Sequence, residues 1–105
     1  MSEQRIEALR RMLEKRPDDV RARFGLAAEY ERLERWDDVA RELRAYLATA
    51  DDEGNAWGRL GEVLRRLGRE DEARAAYEAG VRQAEKFGHS GMADDLRVAI
   101  IQLGE

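Results

Sequence analysis

Leu26 and Leu60, Leu33 and Leu67, Arg35 and Arg69, and Asp37 and Asp71 stand 34 residues apart, and Leu47 meets Val81 at the same offset. Where identity is lost, apolar or small residues still meet: Ala27 falls on Gly61, Tyr30 on Leu64, Val39 on Ala73, Leu43 on Tyr77 and Tyr46 on Gly80, while Arg41 matches Arg74 one residue out of step. Such a repeat holds one helix, a reversal and a second helix, and it buries its apolar face only against a neighbour. Ala, Leu, Arg and Glu dominate throughout, and no stretch alternates Val, Ile, Thr and Tyr as a strand would. Ile6, Leu9, Met12 and Leu13 recur at helical spacing, and Pro17-Asp18-Asp19 ends that helix and caps the next. The pattern predicts six helices, near 2–16, 19–33, 36–49, 53–67, 70–87 and 90–103, and an all-α fold.

Composition narrows the function. A chain of 105 residues with 43% hydrophobic residues, nine Gly and one Pro is sized for one folded domain and is neither collagen-like nor a disordered linker. The absence of Cys removes disulfides, a thiolate nucleophile and Cys-based metal sites, and the single His89 removes multi-His cages. No apolar run approaches the roughly 20 residues that span a bilayer, and the opening Met-Ser-Glu-Gln-Arg lacks the apolar middle of a signal peptide. A cytoplasmic protein without membrane contact is the expectation. A formal net charge of -4 disfavours nucleic acid as a partner.

Trp57, Leu60, Gly61, Leu67, Gly68, Ala73 and Tyr77, in that order within a 34-residue unit, resemble the tetratricopeptide repeat. The first copy departs from the pattern, with Arg23 at the Trp position, Ala27 for the packing glycine and Glu34 for the turn glycine. The resemblance implies a single domain over 1–105: a half repeat at 1–17, repeats at 20–53 and 54–87, and a C-terminal capping helix in 88–105. It implies a short right-handed α-solenoid of antiparallel helix pairs.

Catalytic constellations are hard to assemble from these residues. The acidic pairs Asp18-Asp19, Asp37-Asp38, Asp51 to Glu53 and Asp94-Asp95 read as helix caps rather than acid–base pairs. Asp51-Asp52-Glu53-Gly54-Asn55 lacks the ligand spacing of an EF-hand. Gly88-His89-Ser90-Gly91 lacks both the spacing and the strand of a nucleophile elbow and reads as a helix break with an N-cap. There is no phosphate-binding Gly-rich loop, and no cofactor is expected. Acids four residues before Arg, as at Glu7 and Arg11, Glu31 and Arg35, or Asp37 and Arg41, predict solvated helix pairs. Arg65, Arg66 and Arg69 stand out as the one cluster of unbalanced charge.

In the tetratricopeptide class the first helix of each repeat lines a concave groove that takes a peptide or helix. Carried onto this chain, the resemblance implies a groove presenting Arg21, Phe24, Gly25, Ala28 and Arg32 from the first repeat and Asn55, Arg59, Glu62 and Arg66 from the second. Phe24 offers an aromatic anchor with room left by Gly25 and Ala28, and the guanidinium groups suit a carboxylate beside an apolar side chain. The Lys and Asn set with which chaperone-binding members hold a terminal carboxylate is not reproduced here. The expected function is a noncatalytic protein-interaction module for a protein or peptide, with a structural homodimer as the alternative.

Overall fold

The structure, a computed structural model, describes residues 2–105; the expected half repeat at 1–17 begins one residue outside that range. Among the described residues there are six α-helices and no strands: α1 Ser2–Lys15, α2 Val20–Arg32, α3 Trp36–Leu47, α4 Asn55–Arg66, α5 Glu70–Lys86 and α6 Ser90–Leu103. Helices adjacent in the chain pack on one another within two compact units, Met1–Ala50 and Asp51–Glu105.

The tight reversals α2–α3, α4–α5 and α5–α6 share one geometry. After α4, the amide of Gly68 donates to the Arg65 carbonyl and that of Arg69 to the Leu64 carbonyl, the paired bonds that satisfy the last free carbonyls of a helix. The pairing recurs after α2, with Glu34 bonded to Glu31 and Arg35 to Tyr30, and after α5, with Gly88 bonded to Glu85 and His89 to Ala84. Each reversal needs one residue at positive φ. Gly68 and Gly88 supply it at 78°, whereas Glu34 is held there at φ 55° with a side chain that disfavours it.

In the first unit, Asp19 caps α2 by accepting the Ala22 amide at 3.0 Å. Leu26, Ala27 and Tyr30 of α2 bury against Val39 and Leu43 of α3, with Ile6 of α1 completing the core. This core also holds two buried acids. Glu42 on α3 accepts from Arg23 at 3.0 Å and from Arg41 at 3.2 Å, and Glu29 on α2 accepts from Arg5 at 3.0 Å. Arg23 therefore occupies the place of Trp57 because its partner changes with it: Glu42 falls 34 residues before Ala76. Where the first unit has this ion pair, the second has the half-buried Trp57 and the buried Ala76.

Two expectations about charge are corrected. Asp94 and Asp95 lie inside α6 and cap nothing, since the helix begins at Ser90 with His89 as its N-cap. Arg65 and Arg66 are not unbalanced, because both reach the carboxylate of Glu62, Arg66 at 3.2 Å. The helix pairing of Glu7 with Arg11 forms, at 3.5 Å, while Arg35 and Arg41 converge on Asp38 at 2.8 and 2.7 Å. Burial raises the Asp38 carboxyl, but the hydrogen bonds from Arg35 and Arg41 and the charges of both guanidinium groups together outweigh it and hold the carboxyl below its ordinary range.

Candidate binding cleft

In the second unit α4 and α6 diverge enough to leave a cleft of about 320 Å³, lined by Gly54, Asn55, Gly58, Arg59 and Glu62 from the start of α4 onward, by Tyr77 of α5, and by Met92, Leu96 and Ala99 of α6. Its walls are fixed by residues too small to keep their neighbours away. A methyl group at Gly58 would stand 3.0 Å from one Leu96 methyl, and one at Gly80 would stand 2.9 Å from the other and 3.2 Å from Trp57 Cβ. Leu96 is thereby seated between two helices. At the mouth, Gly54 adopts φ 118° with the Met92 sulfur where its side chain would be.

The mouth is also tied down by polar groups. Asp52 accepts the amides of Gly54 and Ala56, each at 2.9 Å, satisfying donors at the start of α4. Gln83 of α5 donates to the Asp52 carbonyl at 2.8 Å, and His89 pairs with Glu53. At the far end, Glu62 takes hydrogen bonds from Arg65 and a longer one, 3.5 Å, from the Tyr77 hydroxyl. The Arg65 hydrogen bond is the main reason the Glu62 carboxyl lies below its ordinary range; burial, then the Glu62 charge, pushes the Tyr77 hydroxyl up. A carboxylate stabilised as an anion and a phenol stabilised as neutral are a poor acid–base pair at neutral pH, but they make a fixed polar edge.

Asn55, Arg59 and Glu62 thus come together in one cleft. Arg66 stands behind Glu62 as its ion-pair partner rather than on the cleft wall. In the first unit, Arg21 is exposed, Ala28 is half-buried, and half-buried Phe24 lies against Tyr46 of α3 with ring centroids 5.1 Å apart. Gly25 does not make room for Phe24: a methyl group there would meet Leu9 of α1 at 3.7 Å, so Gly25 belongs to the α1–α2 contact. Arg32 is exposed and reaches toward Glu29 at 3.8 Å.

The α6 wall was missed in the sequence, where residues 90–103 read only as a cap. One more step of 34 carries Gly58 to Met92 and Glu62 to Leu96, so α6 repeats the cleft positions of α4.

No protein-family model matches the chain, and no curated protein matches it in sequence. Among solved structures, the solution structure of protein BPP2914 from Bordetella parapertussis resembles it with a TM-score of 0.75 and 31% sequence identity, over 94% of this chain and 86% of that one. The chain belongs to the BPP2914 family. The likeness to BPP2914 runs over nearly all of the chain, so both helical units share in it. No helix is long and apolar enough to cross a membrane among the described residues.

Proposed function

We propose that this chain is a short tetratricopeptide-like solenoid serving as a noncatalytic interaction module, and that the cleft between α4 and α6 takes a peptide carrying an apolar side chain next to a carboxylate. The observation that carries the reading is the cleft's composition. Gly58, Met92, Leu96 and Ala99 give the cleft an apolar lining of the kind that takes a large apolar side chain, and Asn55 and Arg59 add polar groups to that lining. Arg binds carboxylates through two parallel hydrogen bonds, and the fixed anion at Glu62 discourages a second acid at the far end. The 34-residue helix pairs, the three shared reversals and the repetition of α4 positions in α6 support the solenoid. A net charge of -4 fits a protein partner in the cytoplasm better than nucleic acid or an anionic bilayer.

The test is selection of peptides from a random library on the immobilised protein, followed by affinity measurement in solution. Selected peptides are expected to share an apolar residue and an Asp or Glu, and Arg59→Glu should weaken them by at least about tenfold, the loss of a charge-assisted hydrogen bond. Binders lacking an acid, or binding Arg59→Glu equally well, would refute the assignment. A stable dimer whose interface covers the cleft would replace it with self-association.

A further inference from the structure

Tyr30 on α2 is fully buried, yet its ring gathers cations from three segments of the first unit. The guanidinium carbon of Arg35, in the α2–α3 turn, lies 4.7 Å from the ring centroid, and those of Arg10 on α1 and Arg41 on α3 each lie 5.8 Å from it. Arg35 and Arg41 share Asp38, and Arg41 also reaches Glu42. Arg10 is different. It is exposed, it pairs with no carboxylate among the described residues, and one of its nitrogens donates to the Tyr30 hydroxyl at 2.5 Å. Guanidinium carries five N–H donors, so most of those on Arg10 remain to be used. The hydroxyl accepts from Arg10 and keeps its own proton to give, and no described residue receives it. Packing does not ask for that hydroxyl. Leu64, the residue 34 positions on, is 1% exposed in the second unit, and Arg69 and Glu72 there repeat Arg35 and Asp38. An apolar body is enough for the core at this position, and the hydroxyl is what the first unit adds.

We propose that Arg10 and the Tyr30 hydroxyl form a binding site for a phosphate monoester, with Arg35 as the second cation. A carboxylate is flat and is satisfied by a single guanidinium fork, whereas a phosphate ester offers three acceptor oxygens and a charge approaching −2. The donors here are a guanidinium, a hydroxyl and a second guanidinium, brought around one ring by separate segments. The local charge agrees. Arg10, Arg23, Arg35 and Arg41 share Asp38, Glu42 and the exposed Glu3, the last 3.5 Å from Arg35, which leaves a surplus of positive charge in a chain whose net charge is -4. The ester is carried either by a phosphorylated peptide side chain or by a small molecule, and both present the same group to Arg10. This site belongs to the first unit and is independent of the peptide cleft, whose lining belongs to the second.

The probe is inorganic phosphate, titrated at constant ionic strength against chloride, with the arginine Nε–H signals followed by NMR. The Arg10 and Arg35 signals should move and saturate with phosphate and stay still with chloride. Tyr30→Phe, which keeps the ring and loses the hydroxyl, should weaken phosphate by about threefold, and Arg10→Gln by at least about tenfold. Arg82→Gln, on exposed α5 surface, should leave the affinity unchanged. A second arm compares phenyl phosphate with a phosphoserine peptide, each beside its unphosphorylated form. Tighter binding of the peptide assigns the site to a phosphorylated protein, and equal or tighter binding of phenyl phosphate assigns it to a small ester. Circular dichroism checks that each variant is folded, and Arg10→Lys, which keeps the charge and loses the fork, stands in with a smaller loss if Arg10→Gln does not fold. The proposal is overturned by the absence of saturable shifts at Arg10, by saturation that survives Arg10→Gln, or by a folded Tyr30→Phe that binds phosphate as well as the wild type.

Discussion

Gly61 on α4 and Tyr77 on α5 are in such close contact that a methyl group on the glycine would lie 2.5 Å from two atoms of the tyrosine ring. The equivalent pair in the first unit is Ala27 and Leu43, both fully buried. The two pairs solve one packing problem in opposite ways: the larger side chain on the second helix requires the smaller one on the first.

Gly61→Ala should therefore destabilise the protein by about 1–3 kcal/mol through overpacking. Tyr77→Leu alone should also destabilise, by opening space beside Gly61 and removing the hydroxyl bonded to Glu62. The double variant rebuilds the Ala27–Leu43 arrangement and should be more stable than the sum of the single losses predicts. Urea denaturation of the four proteins in a double-mutant cycle measures that coupling.

Much of this relationship was legible in the sequence, and the reason is instructive. Ala27 against Gly61 and Leu43 against Tyr77 mark a helix approach by size class, and the helix limits followed from caps and apolar spacing to within two residues. The ion pairs were not legible. Arg23 and Glu42 lie 19 residues apart on different helices, so neither shows in local spacing, and their exchange for Trp57 and Ala76 becomes meaningful only when the helices are side by side. The cleft was half legible for a similar reason. Asn55, Arg59 and Glu62 share one face of α4, whereas the opposing wall depends on how α6 lies across it.

Glu34 holds φ 55° at the place where Gly68 and Gly88 hold 78°. Glu34→Gly relieves a left-handed conformation that costs roughly 1 kcal/mol, partly offset by the greater freedom of glycine in the unfolded chain. The expected outcome is a stabilisation of several tenths to about 1 kcal/mol by chemical denaturation. Gly68→Glu should lose about as much, roughly 1 kcal/mol. A destabilised Glu34→Gly would mean that the side chain of Glu34 outweighs its strained backbone.

Glu42 is buried with Arg23 and Arg41 as its cationic partners. Arg23→Ala should cost up to about 3 kcal/mol, because the carboxylate stays buried with one partner fewer. The pair Arg23→Trp with Glu42→Ala transplants the Trp57 and Ala76 solution and should recover most of that loss or exceed it, since well-packed apolar replacements of buried ion pairs are often neutral or better. Thermal melting of the single and double variants decides it.

The fixed edge of the cleft should leave a pH signature at both extremes. The Arg65 hydrogen bond lowers the Glu62 carboxyl from its ordinary 4.5, so its stabilising contribution is full above that value and is lost as pH falls through the lower folded value. The stability gap between wild type and Glu62→Gln should shrink over that acidic window. Burial raises the Tyr77 hydroxyl from its ordinary 10.0, so the native state keeps a proton that the unfolded chain releases, and stability declines as pH rises beyond 10.0. Tyr77→Phe should flatten that alkaline decline.

The most direct test of the binding account is methyl-resolved NMR of the wild type titrated with an acid-containing peptide chosen by library selection. The account predicts that the methyl signals of Met92, Leu96 and Ala99 and the amide signals of Asn55, Gly58 and Arg59 move together and saturate with one affinity, and that Arg59→Glu abolishes the movement at the same peptide concentration. Saturating shifts confined to other faces, with the α4 and α6 signals unmoved, would contradict it.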